Sequence, residues 1–154
     1  MKKLYIARSK NVGRGVFAGE NIRKGEKILK FKGRIVKYAY DSNFKLGPRW
    51  LGIGKNTWII INKNNPGDMI NHSCNPNAGL KNKIFLIAIK NIKNGEEVTF
   101  DYSTSEEDPY WKMNCKCHAK NCRNIIRDFN HLPNKLKQRY KKLKIVPAFI
   151  LRKL

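Results

Sequence analysis

The stretch Asn71-His72-Ser73-Cys74-Asn75-Pro76-Asn77 lies near the middle of a chain of 154 residues. It combines polar side chains, a thiol and a proline, a mixture that is unusual for a strand in a protein core. Serine and Asn-Pro are typical of turns, and asparagine tolerates a left-handed backbone. Taken alone, the heptapeptide predicts a surface turn. Three further segments change this interpretation.

The first two segments lie on either side of the heptapeptide. Gly13-Arg14-Gly15 is a short glycine turn. A single Gly-x-Gly is more often a simple bend, but glycine also lets the backbone approach a ligand because it has no Cβ atom. Gly95-Glu96-Glu97-Val98-Thr99-Phe100-Asp101-Tyr102 is a tight turn followed by a short strand that ends in an acid and a tyrosine.

The third segment holds three of the four cysteines in the chain, Cys115, Cys117 and Cys122. In a chain without an export signal, closely spaced cysteines favour metal binding over disulfides. A structural zinc ion needs four ligands in a tetrahedron. His118 directly follows a ligating cysteine and would strain the loop, so Cys74 is the better fourth ligand. The alternative interpretation is four free buried thiols.

The four motifs, in this order, resemble the SET domain, the lysine methyltransferase fold, over most of residues 4–127. The resemblance implies a mainly β (α+β) fold of several small curved sheets with a pseudoknot, followed by a zinc-bound post-SET loop and a C-terminal helix. It divides the chain into a SET domain at 1–110, a post-SET zinc loop at 111–127 and a basic helical extension at 128–154.

The resemblance also implies roles for individual residues. Tyr102 is the expected catalytic residue, and Phe100 is expected to line the substrate channel. The implied cofactor is S-adenosylmethionine (AdoMet), and the residues expected to hold it are Gly13, Arg14, Gly15, Asn71, His72, Met113 and Ile125. The family takes its fourth zinc ligand from the Asn-His-Ser-Cys motif, which makes the expected structural zinc ligands Cys74, Cys115, Cys117 and Cys122. Outside this context, His72 would be interpreted as a core histidine.

The implied chemistry explains the residue types. A lysine ammonium has no lone pair, and its pKa in water is about 10.4, so the substrate amine must lose its proton before it accepts a methyl group. An apolar, aromatic channel lowers that pKa because it disfavours the charge. The Tyr102 hydroxyl can orient the amine, since this displacement depends mainly on position. Phe100 occupies the family position at which phenylalanine leaves room in the lysine channel and tyrosine restricts it. This residue predicts that more than one methyl group can be added.

Apolar runs bounded by turn residues predict a body that is mostly β. The predicted strands are Leu4-Tyr5-Ile6-Ala7, Val16-Phe17-Ala18, Ile28-Leu29-Lys30-Phe31, Trp58-Ile59-Ile60-Ile61, the run at 84–89 and Val98-Thr99-Phe100. Leu136, Tyr140 and Leu143 recur at helical spacing after Pro133, which predicts an amphipathic helix docked on the body. Residues 146–151 are expected to form a last short helix or an apolar tail.

Five aromatic residues lie between turn residues at 37–58, and aromatics at such positions are more often core or pocket wall than a recognition site. They are Tyr38, Tyr40, Phe44, Trp50 and Trp58.

The formal net charge is +22, which suggests contact with a polyanion such as nucleic acid or a nucleoprotein. Compositional bias with solvated lysines is the alternative. Six of the eleven acids fall within thirteen residues: Glu96, Glu97, Asp101, Glu106, Glu107 and Asp108. The five acids other than Asp101 either form a negative patch for a lysine-rich peptide beside Tyr102 or are solvated turn residues.

Together these features predict a protein-lysine N-methyltransferase that acts on a protein tail, such as that of a histone or another basic nucleic-acid-associated protein. The alternative is a non-catalytic, zinc-stabilised nucleic-acid-binding module that retains the SET fold. No apolar run is long enough to cross a membrane. We expect the protein to be intracellular, either cytoplasmic or associated with chromatin or a nucleoid. The sequence leaves its oligomeric state open.

Overall fold

A computed structural model describes residues 1–10, 12–38 and 50–152. Within these ranges the chain is mainly β, as predicted, with twelve short strands and two short α-helices. The strands are β1 (Leu4–Arg8), β2 (Arg14–Ala18), β3 (Lys27–Lys30), β4 (Gly33–Lys37), β5 (Trp50–Gly54), β6 (Thr57–Ile61), β7 (Asn71–His72), β8 (Ala78–Lys81), β9 (Phe85–Ala88), β10 (Thr99–Phe100), β11 (Lys112–Asn114) and β12 (Ile125–Arg127).

The described strands form three two-stranded sheets and two three-stranded sheets. The pairs are β1 with β2, β7 with β10, and β11 with β12, and the larger sheets have the orders β3-β9-β8 and β4-β6-β5. The sheets stay small because turns interrupt the chain every few residues. Gly25 (φ 91°) and Gly95 (φ 82°) hold turns in a backbone region that favours glycine. The predicted architecture of several small sheets is confirmed.

The pairing of β7 with β10 positions the site. These two strands are parallel, with Asn71 opposite Thr99 and His72 opposite Phe100. Parallel neighbours cannot be joined by a tight hairpin, so the intervening chain must leave and return. The central heptapeptide and the segment that leads to Tyr102 therefore lie side by side, as the predicted pseudoknot requires.

The main core lies between the small sheets. Val16, Ile28, Leu80 and Leu86 are completely buried, and Phe31 is 1% exposed. Burial of each such aliphatic side chain contributes about 1.5–3 kcal/mol to the free energy of folding. All of these residues except Leu80, which lies in the unpredicted strand β8, belong to the apolar runs from which the strands were predicted.

The C-terminal segment packs on the body through a second cluster of apolar residues. Helix α1 (Asn134–Lys142) begins directly after Pro133, and helix α2 (Ala148–Leu151) follows it. Tyr140 is 1% exposed and belongs to a cluster that includes Ile87 and Ile89 of the body, with Leu136 and Leu143 packed against it. The predicted amphipathic helix is confirmed. Within the described ranges, no helix is both long and apolar enough to cross a membrane.

The five aromatic residues at 37–58 have different environments. Trp58 is buried in the core, and Trp50 lines a cavity. Both therefore fit the predicted role of core or pocket wall. Tyr38 is instead 47% exposed, although its ring lies 5.4 Å from that of Trp50. Tyr40 and Phe44 lie outside the described residues.

Candidate active site

Tyr102 follows β10 and begins a short 3-10 helix, Tyr102–Thr104. Its hydroxyl donates a hydrogen bond of 2.7 Å to the Ile70 carbonyl oxygen, and its backbone N–H donates to His72 Nδ1 at 3.2 Å. Burial raises the pKa of Tyr102, and the nearby Glu97 carboxylate raises it further. The tyrosine is therefore neutral. Its side chain is hydrogen-bonded to Ile70 and its backbone to His72, at the start of the central heptapeptide.

The Tyr102 side chain lines a cavity of about 290 Å³. The ring of Phe100 lies 5.0 Å from that of Tyr102, and Phe31 contacts Phe100 edge-on at 6.2 Å. The polar and aromatic residues that line the cavity are Phe31, Trp50, Asp68, Phe100, Tyr102, Ser105, Glu106 and Trp111. The cavity thus combines aromatic walls with two carboxylates, which is a chemically suitable environment for an organic cation.

A network of hydrogen bonds joins the glycine turn to the central heptapeptide. Asn71 Nδ2 donates to the Arg14 carbonyl oxygen at 3.0 Å and to Glu97 Oε1 at 2.7 Å. Glu97 Oε2 accepts from Ser9 Oγ at 2.9 Å. One half-buried carboxylate therefore links the first hairpin, β7 and the segment that leads to Tyr102.

Gly15 has a steric requirement at this junction. A Cβ atom at Gly15 would lie 2.1 Å from Glu97 Oε1 and 2.9 Å from Asn71 Nδ2. Gly13 has φ of +47°, in the left-handed region. The structure thus places Arg14 and Gly15 against Asn71, which lines a small cleft together with His72. With Gly13 of the same turn, these are five of the seven residues predicted to hold the cofactor.

The other two predicted cofactor residues lie on the β11–β12 hairpin. Met113 is 37% exposed and lines the Tyr102 cavity. Ile125 pairs with Asn114, one position along from Met113, and is 55% exposed. Only Met113 of these two is among the residues that line the cavity.

The thiols lie next to the same region. The ligand atoms of Cys74, Cys115, Cys117 and His72 all lie within 4.8 Å of one another. Cys122 is adjacent, because its side chain hydrogen-bonds with those of Cys115 and Cys117. The structure therefore clusters three of the four predicted zinc ligands with a histidine that was not predicted as one, and Cys122 Sγ lies beside them, 4.0 Å from the Cys115 carbonyl oxygen.

The donor set and its surroundings fit a zinc ion. The backbone N–H groups of Arg123 and Cys74 donate to sulfur atoms, at 3.4 Å to Cys74 Sγ and 3.5 Å to Cys117 Sγ. Burial raises the pKa of the Cys74 thiol to about 11, whereas a bound cation would favour its thiolate. No residue of 111–125 is buried, so this loop has no apolar core of its own. Metal binding would supply the missing order.

His72 connects the thiols to Tyr102. Burial lowers the pKa of His72 to about 4, against an opposing effect of the Asp101 carboxylate, so the ring is neutral. Since Nδ1 accepts from the Tyr102 N–H, Nε2 carries the proton and lies 3.3 Å from Cys74 Sγ. In this orientation His72 donates to the sulfur, which is how a partner outside the metal-ligand set would bind.

The family model for the SET domain matches residues 13–103, more than half of the chain. The chain belongs to the SET-domain family. Every residue of the Tyr102 and Asn71 network except Ser9 falls inside the matched range, whereas the cysteine loop at 111–127 falls outside it.

Known relatives of this SET domain are much longer proteins. The chain is 31% identical over 137 residues to histone-lysine N-methyltransferase 2B of Homo sapiens, which covers 79% of this chain and 5% of that protein. It is 32% identical over 141 residues to an H3 lysine-4 specific histone-lysine N-methyltransferase of Schizosaccharomyces pombe, which covers 81% of this chain and 15% of that protein. The chain thus spans only a small part of each relative.

Solved structures share the fold. The crystal structure of KRYPTONITE in complex with mCHH DNA, H3(1-15) peptide and SAH superposes with a TM-score of 0.65 at 24% identity, over 82% of this chain and 30% of that chain. The Chaetomium thermophilum polycomb repressive complex 2 gives a TM-score of 0.55 at 25% identity, over 66% of this chain and 15% of that chain.

Asp101 is a structural centre of this SET domain that sequence reasoning missed. Its carboxylate is 1% exposed and receives two hydrogen bonds of 2.7 Å from the Arg123 guanidinium and one of 3.0 Å from the Tyr140 hydroxyl. One buried acid therefore joins the Tyr102 segment, the cysteine loop and helix α1. The sequence feature that could have revealed this role is the position of Asp101 between the aromatic residues Phe100 and Tyr102, directly after β10.

The structure contradicts the solvated-turn interpretation for part of the acidic cluster. Glu106, Glu107 and Asp108 are 7%, 5% and 3% exposed, so they are not solvated turn residues. Glu106 Oε1 accepts from the backbone N–H groups of Glu107 and Asp108, and the Glu106 carbonyl accepts from Phe129 N. The segment is buried because the C-terminal chain covers it. Glu106 lines the Tyr102 cavity as a result.

We expect removal of the metal to unfold the cysteine loop locally. The loop at 111–127 should become more sensitive to protease after chelation, because the Arg123–Asp101 pair and the β11–β12 pairing then hold it without the metal, while the sheets of the body keep their circular dichroism. Metal analysis should give one zinc ion per chain.

Cys122→Ser should lower zinc affinity about ten-fold or more, whereas His72→Ala should retain zinc, since His72 would contact the site from outside the ligand set. Retention in Cys122→Ser together with loss in His72→Ala would place His72 among the ligands.

Glu106 predicts a pH dependence of stability. Burial raises the pKa of Glu106 to about 8, and the Asp108 and Asp128 carboxylates raise it further. Between the ordinary value of 4.5 and about 8, the unfolded chain loses this proton while the folded chain keeps it. The free energy of unfolding therefore falls as pH rises through this window.

Glu106→Gln removes this effect and keeps the acceptor oxygen. We expect the stability of the variant relative to the parent chain to increase by about 2–4 kcal/mol between pH 5 and pH 9, as measured by urea unfolding. Glu96→Gln, at an exposed carboxylate, is the control and should show no such rise. If the stability difference between Glu106→Gln and the parent chain did not change with pH, the prediction would be contradicted.

Proposed function

We propose that the chain is an AdoMet-dependent protein-lysine N-methyltransferase with Tyr102 as its catalytic residue. One observation carries the proposal: the Tyr102 hydroxyl is fixed by the Ile70 carbonyl within an aromatic and acidic cavity, directly beside the junction of Gly15 and Asn71. AdoMet, when bound, supplies a methyl group activated by its sulfonium.

The cavity residues suit a lysine side chain. The Asp68 carboxylate attracts the incoming ammonium, the Glu106 side chain, which is protonated below about pH 8, offers hydrogen bonds, and the aromatic walls accept the methylene stem of the lysine. Desolvation between these walls lowers the pKa of the amine, which favours the neutral form. The Tyr102 hydroxyl then orients the amine. Because Tyr102 is held through both its hydroxyl and its backbone, this orientation is already fixed before the substrate enters.

The cofactor is assigned to the cleft on the Asn71 side. Gly13, Arg14 and Gly15 would present backbone atoms to it, and Asn71 and His72 would hold it from β7. Two findings support the assignment: the missing Cβ of Gly15 and the hydrogen bond from Asn71 to Arg14. Met113, which lines the Tyr102 cavity, is proposed to reach the cofactor from that side. Ile125 is proposed as an additional cover from the neighbouring strand.

We further propose a structural zinc ion bound by Cys74, Cys115, Cys117 and Cys122. Zinc with four protein ligands has no open position, so its role would be to hold the loop at 111–127 against the heptapeptide. In this arrangement residues 1–110 form the SET domain and residues 128–154 form the basic helical extension. The packing of Tyr140 against Asp101 supports a fixed position for the extension.

The proposed substrate is a lysine in the tail of a histone or of another basic nucleic-acid-associated protein. Two supports are the names of the relatives, which are histone-lysine methyltransferases, and the Asp68 carboxylate in the cavity. Such a substrate implies that the protein acts on chromatin or on a nucleoid.

Phe100 predicts the product state. Its ring lies between Phe31 and Tyr102 and carries no hydroxyl that could occupy the channel. We expect dimethyllysine or trimethyllysine at exhaustive turnover, and Phe100→Tyr should restrict the product towards monomethyllysine. Mass spectrometry of the product peptide measures both. Monomethyllysine as the sole product of the parent chain would contradict this prediction.

The experiment that tests the function is AdoMet binding by calorimetry, followed by methyl transfer to a histone mixture with zinc-loaded protein. Binding and transfer together would establish the activity. If binding occurs without transfer, the same assay on a lysate identifies the substrate. Absence of AdoMet binding in a folded, zinc-loaded sample would overturn the proposal.

A second candidate function, nucleic-acid binding without catalysis, is favoured by one observation. Among the described residues, five acids are buried: Asp101, Glu106, Glu107, Asp108 and Asp128. Most lysines and arginines are exposed. The described surface therefore exposes many basic residues and few acids, in a chain with a net charge of +22. A binding module would bind DNA with a steep salt dependence and would not bind AdoMet.

A further inference from the structure

Three lysines lie beside or opposite Phe85 on the β3-β9-β8 sheet, and a fourth lies in the adjoining turn. Lys30 of β3 and Lys81 of β8 both lie opposite Phe85 of the central strand β9. Directly opposed residues point to the same face of a sheet, so these side chains form one row. Lys27 Nζ lies 5.0 Å and Lys30 Nζ 5.8 Å from the centre of the Phe85 ring. Lys83 lies in the turn that follows Lys81. These five residues are called the Phe85 patch.

The Phe85 patch retains its full positive charge. A contact between an ammonium and a ring holds the ammonium in place without neutralising it. Among residues 1–10, 12–38 and 50–152, none of these four lysines forms an ion pair, whereas nearby Lys2 pairs with Glu26 at 2.9 Å. All four are exposed. Convergent like charges without an ion-pair partner among the described residues favour the binding of an external anion.

A groove of about 330 Å³ continues from the patch. Lys30 and Lys32 line it together with the side chains of Asn62 and Asn64. Lysines supply point charges for phosphates, and amides can donate to phosphate and sugar oxygens. The patch and the groove together form an extended cationic track with additional hydrogen-bond donors.

We propose that the Phe85 patch binds the phosphate backbone of a nucleic acid, independently of base sequence. The track has the features that phosphate binding requires: several lysines in a row, no ion pair to an acid within the row, and neutral donors beside it. None of the four lysines lines the Tyr102 cavity. A nucleic acid can therefore be bound while that cavity is occupied, and the proposal holds whether or not the chain transfers methyl groups.

The test compares two variants of the full chain with the same net charge. The first replaces Lys27, Lys30, Lys81 and Lys83 by glutamine. The matched control replaces four exposed lysines that lie elsewhere: Lys37, Lys55, Lys135 and Lys142. Fluorescence anisotropy measures affinity for a mixed-sequence DNA duplex and for one of its strands, between about 50 and 200 mM salt. A third variant with arginine at the four patch positions retains the charge, and thermal unfolding checks the fold of each.

We expect the patch variant to bind at least about ten-fold more weakly than the parent chain. The slope of log K against log salt should be shallower, by the amount that corresponds to the loss of about three phosphate contacts. The control and the arginine variant should bind within about two-fold of the parent chain. Loss confined to the patch variant, with either form of DNA, supports the proposal. Equal loss in the control variant, or no binding of either form by the parent chain at about 50 mM salt, would overturn it.

Discussion

Tyr102→Phe is expected to lower methyl transfer by about a hundred-fold or more while AdoMet affinity stays close to that of the parent chain. The hydroxyl is the only polar atom of the Tyr102 side chain, and it is positioned in the cavity by its bond to the Ile70 carbonyl. Phenylalanine keeps the ring contacts with Phe100 and His72 but cannot orient the amine. Single-turnover transfer to a peptide measures the loss, and calorimetry measures cofactor affinity.

Tyr140→Phe is the matched control for this experiment. Tyr140 is also buried, and its hydroxyl also makes one hydrogen bond, to Asp101. Each substitution should therefore cost about 1 kcal/mol of stability, but only the Tyr102 substitution should remove transfer. If Tyr102→Phe kept most of the transfer rate, Tyr102 would not be the catalytic residue. If both variants lost transfer equally, the loss would reflect the fold and not the chemistry.

Asp101→Asn is expected to have the largest effect on stability of any single substitution discussed above. It leaves the Arg123 guanidinium, whose side chain is 14% exposed, without its buried carboxylate partner. Removal of one partner from such a pair costs about 3–5 kcal/mol, because the remaining charge is desolvated and uncompensated. Urea unfolding with the zinc site loaded measures the change in the free energy of unfolding.

A double variant separates the ion pair from the other contacts of Asp101. Asp101→Asn combined with Arg123→Met removes both charges, so the double variant should recover part of the lost stability. The hydrogen bonds from Tyr140 and Ser103 to Asp101 are weakened in both variants and therefore cancel in the comparison. A cost below about 1 kcal/mol for Asp101→Asn would mean that the pair does not hold the three segments together.

Local sequence was sufficient for the strands that contain an apolar run, whereas β4, β5, β7, β8, β11 and β12 were not predicted. The apolar run at 84–89 forms β9, and the helical spacing of Leu136, Tyr140 and Leu143 forms α1 with the expected buried face. Asn124 has φ of 60°, in the left-handed region that asparagine tolerates. These features depend on residues within one or two turns of each other, which is why a pattern in the sequence predicts them.

Burial of the acidic segment could not be predicted in the same way. Glu106, Glu107 and Asp108 have the composition of a solvated turn, and their local sequence carries no sign of a cover. The cover comes from Phe129 and the chain that follows it, about twenty residues later. Whether an acid is exposed depends on which distant segment packs over it, and composition does not contain that information.

The sequence by itself determined the family motifs, the mainly β fold and the set of residues around Tyr102 and the cysteines, because each is encoded in short patterns of turn, apolar and ligand-type residues. Only the tertiary structure decided that Asp101 binds Arg123 and Tyr140, that Glu97 ties Asn71 to the first hairpin, and that His72 contacts Cys74. Such contacts join residues far apart in the chain. Their energies come from low dielectric and exclusion of water, which exist only after the segments have packed together.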